Sequence, residues 1–366
     1  MNTINKKQLI EALNIASLAV TDKDVVAGSD CYFFSKDVIK THKDTTACYV
    51  IFNTGIEGIV KASYLNNILS TFPYDEIVLS VEENNLIISS ISNTLCFKLL
   101  MKKIKNEFNI DFDFNQTLFE ELPDNFTTLL SMAASSASKD IQQKGLICVN
   151  IKDDVMFSGS TFSVCKINLS KQITQMQIPV NLVDPIKKIS PTYYYKSNES
   201  GWIHLMKNGP DYKGIVSCIS FRHGIESLSD EEYETIIGLV ENIDENAIDI
   251  SQLISDEFIE ILNSVVICSH DQADELNPYY NVLITYNGKF LIECKSISNK
   301  IGSSCYSLEK NLNVKDFRFY INPILLKNMK NKCNELKVLL CDNRIIFIGS
   351  NFKYSVCLLN SYLDNK

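Results

Sequence analysis

The chain has 366 residues, 45% hydrophobic and 22% charged, with a net charge of −9, a balance that describes a water-soluble globular protein of two to three domains. No run of about 18 uncharged apolar residues occurs, and the opening MNTINKKQLIEAL lacks the apolar core of an export signal. These features exclude membrane-spanning and secreted classes from the expectation and leave a cytoplasmic protein with no membrane partner.

Taken in order, MNTI reads as a very short strand and Asn5–Leu18 as an amphipathic helix carrying Leu9, Ile10, Leu13, Ile15, Ala16 and Leu18. CYFFS, VIKTH and TTACYVIF then read as three short strands, closed by a turn at Asn53-Thr54-Gly55. A unit of strand, helix and three-stranded meander follows over Ile59–Met101: IVKA, SYLNNILSTF, EIVLSV, LIISSI, LCFKLL. Lys102–Glu107 reads as a charged, extended linker.

The second stretch opens with a strand around Asn115–Glu120. A helix from Pro123 to about Ser136 would bury Phe126, Leu129, Leu130, Met132 and Ala133. LICVNIK and VMFSGSTFSVCKINL follow, and then the unit of strand, helix and meander returns over Ile178–Ser220. Asp230–Glu245 reads as an acidic connector. Beyond it come a strand AIDIS, a helix of about Ser255–Ile267, and the strands NVLITY and FLIECKS around Asn287-Gly288. A third copy of the unit occupies Phe317–Leu359. Copies separated by roughly 115 to 140 residues repeat at the scale of domains, not of a solenoid. Each domain would be two half-domains, each with one helix over one small antiparallel sheet, which makes the class α+β.

Catalytic and metal chemistry finds little support. Ser136-Ala137-Ser138-Lys139 and Ser163-Val164-Cys165-Lys166 match Ser-x-x-Lys without its companion motifs. His42, His204, His223 and His270 have no partner at helical spacing, and no cofactor or metal is expected. The twelve cysteines form no C-x-x-C pair. Cys148, Cys165, Cys218, Cys294, Cys341 and Cys357 fall inside apolar strands as small buried hydrophobes.

This order of elements, with Leu122-Pro123 before the second-domain helix, the VMFSGSTFSVCKI strand pair, IPVNLVDPIKKI, Glu232–Ile236 and a closing VCLLNSYL, resembles the bacterial sliding-clamp type of DNA polymerase processivity factor. Two segments depart from that family. Gly159–Cys165 stands where it has Ala-Thr-Asp-Gly-His-Arg-Leu, and Leu359–Lys366 stands where it ends in Met-Pro-Met-Arg-Leu.

The resemblance implies three tandem clamp domains, 1–108, 109–235 and 236–366, each with two helices against antiparallel sheets, in a ring formed as a head-to-tail homodimer. It implies a non-enzymatic protein that encircles duplex DNA without sequence preference, tethers a DNA polymerase and is placed by a clamp loader. DNA would meet Lys6, Lys7, Lys139, Lys187, Lys188, Lys327, Lys330 and Lys332. A partner peptide would enter a pocket of Gly159, Thr161, Phe162, Thr235, Ile236, Cys357, Leu359, Ser361 and Tyr362. Leu95, Cys96, Phe97 and Leu99 of one copy would meet Val266, Ile267 and Cys268 of the other. The alternative is a clamp-like interaction platform that does not encircle DNA.

Overall fold

A computed structural model describes residues 2–23, 26–102, 119–140, 142–143, 145–197, 201–208, 216–222, 228–265, 282–295, 303–308, 314–322 and 336–358. The helices among them are α1 (Lys6–Ala16), α2 (Ala62–Thr71), α3 (Phe126–Ala134), α4 (Val183–Ile189), α5 (Asp230–Glu241) and α6 (Asp256–Val265). The chain divides into two compact units, 1–128 with 181–225 and 129–180 with 226–366.

In the first unit Asn5 caps α1 by accepting from the Gln8 N–H at 3.2 Å, and the helix buries Leu9, Ala12, Leu13 and Ala16. The three short strands expected here are two long ones, Cys31–Lys43 and Thr46–Lys61. What reads as strand ends is a bulge, where the register breaks between Lys36 and Val38. Gly55 and Gly58 take φ of +66° and +150°, and a Cβ on Gly58 would lie 2.5 Å from the Met101 sulfur. The hairpin therefore bends without ending. It heads a six-stranded sheet that continues through Val216–Arg222, Trp202–Lys207 and Tyr193–Lys196 to Glu120–Glu121. A second sheet runs Asn2–Asn5, Glu76–Glu82, Asn85–Ser89, Cys96–Leu100.

The second unit holds an eight-stranded sheet in the order Met176–Pro179, Cys148–Lys152, Val155–Gly159, Ser163–Asn168, Phe352–Cys357, Arg344–Ile348, Lys337–Leu340, Ile248–Asp249. Its other sheet runs Ser303–Leu308, Phe290–Lys295, Val282–Tyr286, Phe317–Ile321. The strand Ser303–Leu308 has no counterpart in the sequence reading. α6 buries Phe258, Ile259, Leu262 and Val265, with the Phe258 ring 5.6 Å from that of Phe290.

Two expectations are corrected. Asp230–Glu245 is not merely an acidic connector, because most of it is α5. Ser229 and Glu232 cap the N-terminus of α5 reciprocally, and Asp230, Glu231 and Glu232 sit where the helix dipole favours negative charge. Nor does each half keep its own sheet, since opening strands are exchanged. Asn2–Asn5 pairs with Glu76–Glu82, Glu120–Glu121 with Tyr193–Lys196, and Met176–Pro179 with Cys148–Lys152. Ile248–Asp249 pairs with Lys337–Leu340, and Phe317–Ile321 with Val282–Tyr286. An opening strand has an apolar face too narrow to bury by itself, and the neighbouring meander supplies both the backbone partners and the cover.

Candidate partner-binding site

The described residues of the expected pocket lie on three elements of the second unit. The first is the hairpin at Ser160–Phe162, where the Ser160 N–H donates to the Ser163 carbonyl at 2.8 Å. The Ser160 hydroxyl oxygen accepts from the Phe162 and Ser163 N–H groups at 3.3 and 3.2 Å. A serine is needed there because its short side chain closes the turn on its own backbone. Thr161 is exposed and accepts from the Gln143 amide at 3.0 Å, and Phe162 is half-buried.

The second element is α5. Its Tyr233 ring meets Phe157 edge-on at 5.0 Å, and the Lys152 ammonium lies 4.6 Å over the same ring while bonding Asp230 at 2.9 Å. Ile237 and Val240 are buried, Ile236 is half-buried, and Thr235 and Leu239 are exposed. At its last turn Glu241 reaches Lys166 at 2.5 Å and also bonds Lys353. Those two lysines face each other across paired strands. Burial pushes the Glu241 carboxyl up, but the two ammonium groups outweigh it and hold the group below its ordinary range. The third element is the end of Phe352–Cys357, where the Cys357 N–H donates to the Phe162 carbonyl at 2.8 Å.

Gly159, Phe162, Ile236 and Cys357 are thereby brought together. A Cβ added to Gly159 would lie 3.7 Å from Ile236 Cγ2, and the Phe162 carbonyl is tied to Cys357. Thr161 and Thr235 flank the patch on the exposed sides of the hairpin and helix, while Leu359, Ser361 and Tyr362 lie outside the described residues. A patch with half-buried Phe162 and Ile236 suits an apolar side chain from a partner. The sequence reading missed α5 as the carrier of this site and Glu241 as its fastener. The Ser229-x-x-Glu232 box followed by Tyr233, Ile236, Ile237 and Val240 at helical spacing was the available signal.

The lysines are dispersed. Lys6 donates to the Phe72 carbonyl at 2.6 Å, and Lys7 is exposed with Asp75 at 3.9 Å. Lys187 and Lys188 are exposed on the last turn of α4, and Lys139 is exposed beyond α3. Lys327, Lys330 and Lys332 lie outside the described residues. The exposed side of α6 is acidic, with Asp256, Glu257 and Glu260.

On the sheet edge Cys96–Leu100, Cys96 is exposed, Leu95 and Phe97 are half-buried and Leu99 is buried, with the Phe97 ring 6.0 Å from Phe72. Val266, Ile267 and Cys268 are outside the described residues.

The Ser-x-x-Lys pairs are not sites. Ser136 is buried while Lys139 is exposed, and Lys166 is engaged by Glu241. His204 is buried against Ser220 at 2.7 Å, with burial pushing it down to about 3, so the ring stays neutral. His42 is also buried, and His223 and His270 are outside the described residues. Among the described residues no helix is long and apolar enough to cross a membrane, and no cluster of His, Cys, Asp or Glu is arranged to hold a metal.

No protein-family model and no curated protein matches the chain. Solved structures do match over nearly the whole length. A crystal structure of a putative DNA polymerase III beta subunit from Eubacterium rectale is similar with a TM-score of 0.78 at 14% identity, covering 98% of this chain and 99% of that one. The DNA polymerase III beta chain of Streptococcus pneumoniae gives 0.77 at 13%, covering 98% and 99%. A sliding clamp from Pseudomonas aeruginosa bound to griselimycin gives 0.77 at 12%, covering 98% of each. This chain has the fold of those beta subunits.

Proposed function

We propose, from a fold shared with solved beta sliding clamps over 98% of the chain, that this protein is a DNA polymerase processivity factor. In this proposal the chain forms three clamp domains, 1–108, 109–235 and 236–366. Two copies join head to tail through the Leu95–Leu99 edge of one and the third domain of the other, with Val266, Ile267 and Cys268 at the contact. The closed ring holds duplex DNA topologically and needs no catalytic group. Because the duplex is met through phosphates and water, the ring slides without regard to sequence. Lys7, Lys139, Lys187 and Lys188, with Lys327, Lys330 and Lys332, supply the cationic contacts. Lys6 serves mainly to close its own unit.

A clamp loader opens the ring, and the polymerase is tethered by a short apolar motif in the pocket of Gly159, Thr161, Phe162, Thr235, Ile236 and Cys357, completed by Leu359, Ser361 and Tyr362. Support for this assignment is the convergence of Gly159, Phe162, Ile236 and Cys357 on one patch. The deciding experiment has two measurements. Light scattering should give twice the 41.5 kDa chain mass, and protein loaded on nicked circular DNA should be lost when the circle is cut. A monomer, or equal retention on linear DNA, would favour the platform that does not encircle DNA.

A further inference from the structure

Opening strands end in the same way at three places in the chain. After Asn5, which lies opposite Glu76, the Lys6 N–H donates to the Asp75 carbonyl at 2.8 Å. After Glu121, opposite Tyr193, the Leu122 N–H donates to the Thr192 carbonyl at 2.8 Å. After Asp249, opposite Leu339, the Ile250 N–H donates to the Val338 carbonyl at 2.9 Å. Lys6, Leu122 and Ile250 are thus equivalent positions, and so are Asp75, Thr192 and Val338.

The side chains that follow treat the three joints differently. At the first, α1 begins at Lys6 itself, and the Lys6 ammonium donates to the Phe72 carbonyl at 2.6 Å, just past the end of α2. At the third, the Ser251 hydroxyl oxygen accepts from the Val338 N–H at 2.8 Å. At the second, Leu122 has no side-chain donor, and Pro123, Asp124 and Asn125 intervene before α3 starts at Phe126. The counterpart of Phe72, three places before the joint, is Ile189, the last residue of α4. Between the start of α3 and the end of α4 lies a cleft of about 410 Å³. We propose that this cleft takes a lysine side chain from a partner protein, which fills from outside the place that Lys6 fills from within the chain.

The chemistry of the walls selects that ligand. The only charged residues lining the cleft are Glu121 and Asp124, both exposed, while Lys187 and Lys188 are exposed on α4 and do not line it. The end of a helix carries the negative pole of its dipole, so the end of α4 adds to the preference for a cation. Phe126, Pro191 and the half-buried Tyr193 offer apolar surface to the methylene stem of a lysine while its ammonium stays at the acidic mouth. A lysine fits better than an arginine, because single carbonyl and carboxylate oxygens around a narrow end suit a compact ammonium with three donors, whereas a guanidinium fork wants a planar pair. The volume falls in the range of about 300–1,000 Å³ found for ligand pockets. It exceeds one side chain, so neighbouring residues of the partner enter with the lysine and a small free amine leaves most of the space unfilled. This site stands whether or not the ring closes.

The test uses a fluorescein-labelled Gly-Lys-Gly-Lys-Gly peptide and its Nε-acetylated counterpart, followed by fluorescence polarisation at low salt on the full chain. The amine peptide should bind and the acetylated one should not. Glu121→Gln with Asp124→Asn should weaken the amine peptide about fivefold, the scale of two exposed charge contacts. Asp256→Asn with Glu257→Gln removes the same charge from the exposed side of α6 and should change the affinity less than twofold. Coupling with a water-soluble carbodiimide, read by mass spectrometry, should join the peptide amine to Glu121 or Asp124. Leu122→Lys, which restores the arrangement of Lys6, should abolish binding with the circular dichroism spectrum unchanged. Should that variant fail to fold, the carboxylate pair and the coupling sites still decide. Equal losses in the two charge pairs, equal binding of the acetylated peptide, or coupling only at other carboxylates would overturn the site and leave an acidic surface that attracts lysine by net charge alone.

Discussion

Asp30 is 4% exposed and carries a charge. It accepts from Lys102 at 2.8 Å and from the Cys31 thiol at 3.1 Å, with the Lys61 ammonium 3.3 Å away. Burial raises its carboxyl, but these bonds prevail and hold it below the ordinary value of 3.8. Burial and the neighbouring carboxylate push the Cys31 thiol up to about 12, so it stays protonated as a donor. A depressed carboxyl stabilises the fold above the unfolded value and loses that contribution as pH falls through the folded one. Asp30→Asn should cost about 2 kcal/mol at neutral pH, read as a lower midpoint in urea, and the difference from wild type should shrink as pH falls below the ordinary value of 3.8. At the pocket, Phe162→Ala should weaken binding of a clamp-binding peptide from the polymerase about 30-fold, the size of a typical anchor loss, with the dimer unchanged. An unchanged affinity by fluorescence polarisation would move the pocket elsewhere.

At the scale of elements, α5 is held by a carboxylate that separates two like charges. Glu241→Ala leaves Lys166 directly opposite Lys353, so it should destabilise the protein by about 1 kcal/mol in low salt. Adding Lys353→Met should restore the loss, as followed by urea denaturation. On α4, Lys187→Ala with Lys188→Ala should flatten the salt dependence of DNA binding by about 0.9 in log–log slope for each phosphate that is no longer neutralised. A slope equal to wild type would place those lysines away from DNA. Strands and helices such as α1, α2 and α6 are legible in the sequence because alternation or helical spacing of apolar residues is strong there. α5 is obscured because five of its twelve residues are acidic, which mimics a solvated connector unless the capping box is weighed first. Pairing partners are less legible still. An opening strand such as Ile248–Asp249 looks the same whichever meander receives it, and only the register found in the fold reveals the exchange. The convergence of Gly159, Phe162, Ile236 and Cys357 rests on local turn and strand chemistry, while Glu241 depends on two lysines more than 70 residues distant in the chain.

For the whole molecule, the two places where the closing strand of one meander pairs with the third strand of another are fastened differently at one equivalent step. Lys166 and Lys353 are bridged by Glu241, and Tyr49 and Cys218 lie in an apolar cluster with Ala47, Trp202, Met206 and Val216. The exchange of opening strands also has a consequence in time. Asp249 leaves the ribosome long before its partner Leu339 exists, and at about 5–20 residues per second the gap is on the order of 5 to 20 s. For that interval the receiving edge is absent and the early half carries an unfinished apolar surface. A surface left unfinished for that long is open to pairing with a neighbouring copy on the polysome until the later meander arrives.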